Sequence, residues 1–152
     1  MKLKLGLVAR DVIVAQDSGV PSAINILEGI QGGGFPLFIQ GLAFLTVWQR
    51  ENGDPDEHVG NLIVRLDNTE LVRQQVRFAF QGRPLARNVA QIAGLLIPQP
   101  GILEFREEYG EQSASYQVSV QALPSAEVQV HSLPGQSSVV PPAPAAEPTL
   151  ER

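Results

Sequence analysis

The densest chemistry in the chain lies between Glu51 and His58. Glu51, Asp54, Asp56 and Glu57 place four carboxylates in seven residues beside a histidine. Acidic loops of this kind hold calcium, which takes six to eight oxygen ligands in flexible geometry. The EF-hand pattern is absent, and a calcium site on the rim of a β-fold draws on a second loop. Glu107, Glu108 and Glu111 are the nearest acidic candidates for it. Asp54, Asp56 and Glu57 are therefore the metal-ligand candidates of the chain. The plainer reading of the same loop is a solvated turn between apolar strands, and no cofactor is expected. Gly32-Gly33-Gly34 lacks what a phosphate loop needs, a following helix N-terminus or a Lys and Ser/Thr at fixed offsets. Phe35-Pro36 follows instead, so the glycines read as a connection between strands. No serine sits in Gly-x-Ser-x-Gly, and His58 and His131 are the only histidines, which argues against acyl transfer. Spacing does not decide on paired carboxylates for glycoside hydrolysis, but two tyrosines and one tryptophan leave little for a sugar-stacking cleft.

Arginines offer a different chemistry. Leu62, Val64 and Leu66 alternate with Ile63 and Arg65, and Val72, Val76, Phe78 and Phe80 alternate with Arg73 and Arg77. Period-2 alternation marks half-buried strands, so Arg65, Arg73 and Arg77 are expected on one outward face. A hairpin with Leu66 across from Val72 would set Arg65 opposite Arg73 and Asn61 opposite Arg77. Opposed like charges are unfavourable in a sheet. A carboxylate on a neighbouring strand, a bound anion or an acidic partner would compensate, which makes the three arginines the candidate anion- or partner-binding patch.

The elements that position these residues read as strands throughout 1–123. Leu3, Leu5 and Leu7, Ile24 and Ile26, and Tyr116, Val118 and Val120 all alternate. Leu37 to Trp48 is apolar on both parities, as in a central strand covered on both faces. Asn88 to Leu96 permits a helix, but Val89, Ile92 and the flanking prolines favour a strand. Asp17-Ser18-Gly19, Glu51-Asn52-Gly53-Asp54-Pro55, Asp67-Asn68-Thr69, Gly82-Arg83-Pro84, Pro98-Gln99-Pro100-Gly101 and Tyr109-Gly110-Glu111 supply turn chemistry. The expected fold is all-β, a single antiparallel β-sandwich of about eight strands. Its expected core contains Phe78, Phe80, Phe105, Val64, Val76 and Ile26. The lone tryptophan, Trp48, reads as core, with a role at an interface as the other option.

Half of the 12 prolines lie at or after Pro124. Pro141 to Pro148 can neither form a helix nor pair as a central strand, so 124–152 reads as a Pro/Ala-rich, polyproline-like or disordered tail. Glu127 to His131 alternates and could add a short strand. Limited proteolysis is expected to leave a fragment ending between Ala122 and Leu133. With 152 residues the chain is long enough for one domain without staples, and with no cysteine it holds no disulfide. Its net charge of −5 gives no footprint for nucleic acid. No stretch has the roughly 20 apolar residues of a membrane helix, and no signal-peptide pattern opens the chain, so a cytoplasmic protein is the expectation, or a virion one if phage-encoded.

Several motifs recur in a familiar order: Leu5-Gly6-Leu7-Val8-Ala9-Arg10-Asp11-Val12, Ile24-Asn25-Ile26, Gly34-Phe35-Pro36, Phe78-Ala79-Phe80-Gln81-Gly82, and Ile92-Ala93-Gly94-Leu95-Leu96-Ile97-Pro98-Gln99-Pro100-Gly101. In this order, over residues 1–122, the chain resembles an uncharacterised family of small bacterial single-domain proteins, a domain of unknown function. The resemblance implies a compact β-sandwich of bacterial or phage origin and transfers no site. The functional expectation is a non-enzymatic binding, assembly or accessory module whose partner is a protein or further copies of the chain, with no nucleic acid and no membrane. The alternative is a small calcium-type metal-dependent or hydrolytic enzyme using the acidic 51–58 loop.

Overall fold

The structure, a computed structural model, describes residues 1–124. The expectations for Glu127 to His131 and for the Pro/Ala-rich tail lie outside the described residues. Within them the chain is all-β, with nine strands: β1 (Lys2–Val14), β2 (Pro21–Ile26), β3 (Gly29–Gly32), β4 (Leu37–Gln49), β5 (Glu57–Leu66), β6 (Thr69–Ala79), β7 (Leu85–Ile97), β8 (Gly101–Tyr109) and β9 (Gln112–Ala122). They form a first sheet in the order β2-β1-β4-β7 and a second in the order β3-β9-β8-β5-β6. The two sheets pack face to face around one core, in a sandwich-like arrangement. Across it Phe44 meets Phe105 at 6.3 Å between ring centroids, and Trp48 stacks on Phe78 at 6.3 Å.

The strand count exceeds the expected eight because Gly29–Gly32 pairs with β9 as a short edge strand. That pairing is parallel, so the sheets are not wholly antiparallel. Gly32 thus belongs to a strand, and its missing Cβ gives room to Leu37, whose Cδ2 would lie 3.3 Å from one. Asn88 to Leu96 is strand, bent at Gly94, whose φ of 72° suits glycine.

Parity places most of the expected core residues correctly. Phe78, Phe80, Phe105, Val64 and Val76 are buried, as is Trp48, which is fully enclosed and has no place at a surface. Ile26 is not buried; 52% of it is exposed. Asn25 adopts φ 53°, which breaks the alternation. Leu27 packs against the core instead, while Ile26 pairs with Ala9 in the first sheet. A register shift between Leu3 and Leu5 likewise splits the leucine series. Leu3 packs against the main core, and Leu7 joins a second small cluster with Ala9, Val12, Ala43 and Leu45. No second layer covers β4 on that side among the described residues. Ala43 and Leu45 are buried by their own sheet neighbours, chiefly Leu7 and Val89.

Candidate functional site

Asp54 and Asp56 of the acidic 51–58 loop are engaged by the chain itself, while Glu57 is exposed and makes no ion pair among the described residues. The α-ammonium of Met1 lies 2.7 Å from Asp54 and 3.1 Å from Glu51. Asp54 also accepts the Glu51 amide at 2.7 Å. Asp56 accepts Arg50 at 3.2 Å and the amides of Gln81 and Gly82 at 3.1 and 3.0 Å, which ties the loop to the β6–β7 turn. His58 points inward against Phe78 and Phe80, with ring centroids 5.1 and 5.6 Å away. The proposed second ligand loop is not assembled. Glu107 is buried inside the core, Glu108 lies on the outer face beside Arg106 at 3.0 Å, and Glu111 sits in the β8–β9 turn. Among the described residues no three such side chains converge.

The Met1 ammonium and Asp54 hold each other charged. The hydrogen bond to Asp54 raises the ammonium above its ordinary value of 8.0, and the same bond lowers the Asp54 carboxyl below the usual carboxylate range. The raised group stabilises the fold fully below pH 8 and loses that contribution as pH rises through its folded value. The lowered one stabilises above the ordinary carboxylate range and loses it as pH falls. Asp54→Asn is therefore expected to lower the melting temperature most between pH 5 and 8 and least at the two extremes. A deficit of equal size at pH 3, 6.5 and 10 would contradict the pairing.

The arginines lie outward as parity requires, but their neighbours differ from the expected ones. The turn between β5 and β6 contains only Asp67 and Asn68, and Asp67 takes φ 53°. A register shift at Val64/Arg65 leaves Leu71 as an extra residue on β6. Leu66 consequently faces Thr69, Arg65 faces Glu70, Arg73 faces Ile63 and Arg77 faces Val59. Arg65 does not oppose Arg73, and Asn61 opposes Gln75 rather than Arg77. On its other side Arg65 faces Glu104 of β8. Arg73 makes a two-toothed contact with Glu70, 2.9 Å from Nε and 2.7 Å from Nη2. The outer face of the second sheet thus carries both signs of charge: Glu70, on the same strand, pairs Arg73, Arg65 sits between Glu70 and Glu104 in the ladders, and Arg77 makes no ion pair among the described residues.

The most unusual group is Glu107, which the sequence suggests only as a metal ligand. Glu107 is fully enclosed. Its carboxyl accepts Thr46 Oγ1 at 2.8 Å, Asn88 Nδ2 at 2.7 Å and the Tyr109 hydroxyl at 3.1 Å. Trp48 Nε1 donates to Thr46 Oγ1 at 3.1 Å. Thr46 and Asn88 are cross-strand partners in the first sheet, while Glu107 and Tyr109 belong to the second. The network therefore staples the two sheets through the core. Burial pushes the Glu107 carboxyl above its ordinary value and the Tyr109 phenol far above its own. A carboxyl so enclosed has no route to a substrate, and we assign it a structural role.

Smaller open cavities lie at the 51–54 loop, beside β3 and β9, and along Glu57, His58 and Arg77, but two features of the first sheet stand out. Its outer face is apolar along successive rows: Leu5–Val47, Leu7–Leu45–Val89 and Ile26–Ala9–Ala43. Near one end the pair Phe38–Leu96 is exposed by 63% and 54%. Beside that pair the sheet forks. The β1–β4 ladder stops at Ala9–Ala43, whereas β4 stays with β7 down to Leu37 and β1 stays with β2 out to Val14. Between the arms lies an open cavity of about 570 Å³, walled by Arg10, Leu27, Ile30, Leu37, Phe38 and Leu42. No protein-family model matches the chain, and no curated protein matches it either.

Proposed function

We propose that the chain is a non-enzymatic binding or assembly module that meets a protein partner through the outer face of its first sheet. One observation supports this reading: the asymmetry of the two outer faces. The second sheet's face is mainly charged, with Arg73–Glu70 and Arg106–Glu108 paired on it and Val59 and Ile102 exposed among the charges. The first sheet's face exposes Leu5, Ile26, Phe38 and Leu96 around a buried apolar strip. Contiguous exposed apolar surface marks an interaction site more often than a bland surface. Asp54 and Asp56 of the rival acidic loop are engaged by the Met1 ammonium, by Arg50 and by the β6–β7 turn, which also favours this reading. Bacterial or phage origin, and a place in the cytoplasm or a virion, belong to the same proposal through the motif resemblance.

Photo-crosslinking tests it. A photoreactive side chain at Ile26 or Leu96, in cells of the source organism, is expected to yield a discrete adduct, and one at Gln75 or Arg77 none. Adducts only from the second sheet would move the surface to Arg65, Arg73 and Arg77. No adduct from either face, together with metal-dependent hydrolysis lost in Asp54→Ala with Asp56→Ala, would replace the reading with the enzyme using the 51–58 loop.

A further inference from the structure

We propose that the fork in the first sheet receives an extended peptide strand that carries alternate apolar side chains and an acidic residue. This rests on the binding-module reading and names its partner class. In an antiparallel strand the backbone amides and carbonyls point alternately to the two sides. From Leu37 to Leu42, β4 has β7 on one side and no strand on the other among the described residues. About half of its polar backbone in that stretch therefore faces the fork. β1 presents a second such edge beyond Ala9, because it pairs there with β2 alone. Free edges are ordinarily guarded by proline, charge or a bulge against pairing with other chains. The stretch Leu37-Phe38-Ile39-Gln40-Gly41-Leu42 carries neither proline nor charge. The ligand that satisfies such an edge is another strand, held by main-chain hydrogen bonds, with side-chain pockets setting its sequence.

The walls specify the rest. Leu27, Ile30, Leu37 and Leu42 line the groove together with Gln31 and Gln40, and Phe38, exposed by 63%, lines it too. A strand laid there turns every second side chain toward those residues, so alternate positions of the ligand are apolar. Arg10 lines this cavity and the smaller one beside it, of about 190 Å³. It is exposed and makes no ion pair among the described residues. A guanidinium with no ion pair among the described residues, on the wall of a groove that also carries Gln31 and Gln40, is complementary to a carboxylate, which it can grip with two hydrogen bonds.

The test is selection from a displayed library of random octapeptides on the immobilised full chain, followed by amide hydrogen exchange with the enriched peptides. Enrichment of alternating apolar sequences with an aspartate or glutamate is expected, with new protection at residues 38–42 and 10–14. Arg10→Glu is expected to weaken these peptides about tenfold and to favour lysine-bearing versions of them. Phe38→Asp, at an exposed position, should weaken both kinds. No enrichment, or binders indifferent to both substitutions, overturns the proposal. If those binders instead protect the second sheet, the binding-module reading survives without the fork. Protection of 38–42 in the full chain before any peptide is added would assign the groove to the chain's own C-terminal residues when independent of concentration, and to a second copy when it grows with concentration. Either result overturns an external partner.

Discussion

Glu107→Ala is expected to destabilise the domain by roughly 2–6 kcal/mol, and Glu107→Gln by far less. Alanine leaves the Thr46 and Tyr109 hydroxyls buried without an acceptor, at about 1–3 kcal/mol each, and opens a cavity between the sheets. Glutamine keeps the volume and offers an acceptor oxygen beside a donor NH2 group, where a neutral carboxylic acid offers an acceptor oxygen beside a single O–H. The two variants separate loss of the network from loss of the charge. A pH series then reads the charge directly. Burial raises the Glu107 carboxyl, so its contribution is complete below the ordinary carboxylate range and is lost as pH rises through the folded value. The unfolding free energy of wild type minus that of Glu107→Gln should accordingly fall from pH 4 toward pH 8. Taking the difference cancels the other groups, including Asp54, whose dependence has the opposite sign. A difference flat across that interval would show that the carboxyl titrates normally and that Glu107 is not enclosed.

Glu107 also shows what the sequence could and could not disclose. Leu103, Phe105 and Tyr109 share its parity on β8, so alternation alone places it inside. Its neighbour Glu108 and the acidic loop at 51–58 drew it into a surface metal hypothesis instead. The aromatic core was legible because β5, β6 and β8 are long and alternate cleanly, as Phe78, Phe80 and Phe105 show. The failures sit where one residue breaks the period. Asn25, in the left-handed region, exposes Ile26, and the shift at Leu3/Leu5 sends those two leucines to opposite faces. At the β5–β6 turn, Asp67-Asn68 and the extra Leu71 move Arg65 from Arg73 to Glu70. A period-2 pattern carries facing but not pairing, because every register that keeps the apolar face inward satisfies it equally. The fork lies beyond any such reading, since it arises where one ladder ends before its neighbours do.

Gly60→Ala is expected to be among the most damaging single-methyl additions in the protein, costing about 3 kcal/mol or more. The β5–β8 ladder ends at Asn61–Glu108. One residue further, β8 passes directly over Gly60. A Cβ there would collide with the Glu108 carbonyl oxygen and lie 2.5 and 2.9 Å from the Tyr109 ring. Backbone cannot swing aside as a flexible side-chain tip can, so the strand itself must shift. Tyr109 has no free direction either. Its ring meets Phe78 at 5.0 Å and Trp48 at 5.6 Å, and its hydroxyl donates to Glu107 at 3.1 Å. One methyl therefore disturbs both the aromatic cluster and the polar staple. Gly33→Ala is the control, because nothing lies within 4 Å of a Cβ at Gly33, and it should stay within about 0.5 kcal/mol of wild type. Trp48 is the only tryptophan and sits between Phe78 and Tyr109, so its fluorescence reports the same region during denaturant unfolding. Gly60→Ala should lower the midpoint and alter the folded-state emission together. Equal midpoints for Gly60→Ala and Gly33→Ala would mean that β8 does not cross β5 at Gly60, and the placement of Tyr109 against Glu107 would fall with it.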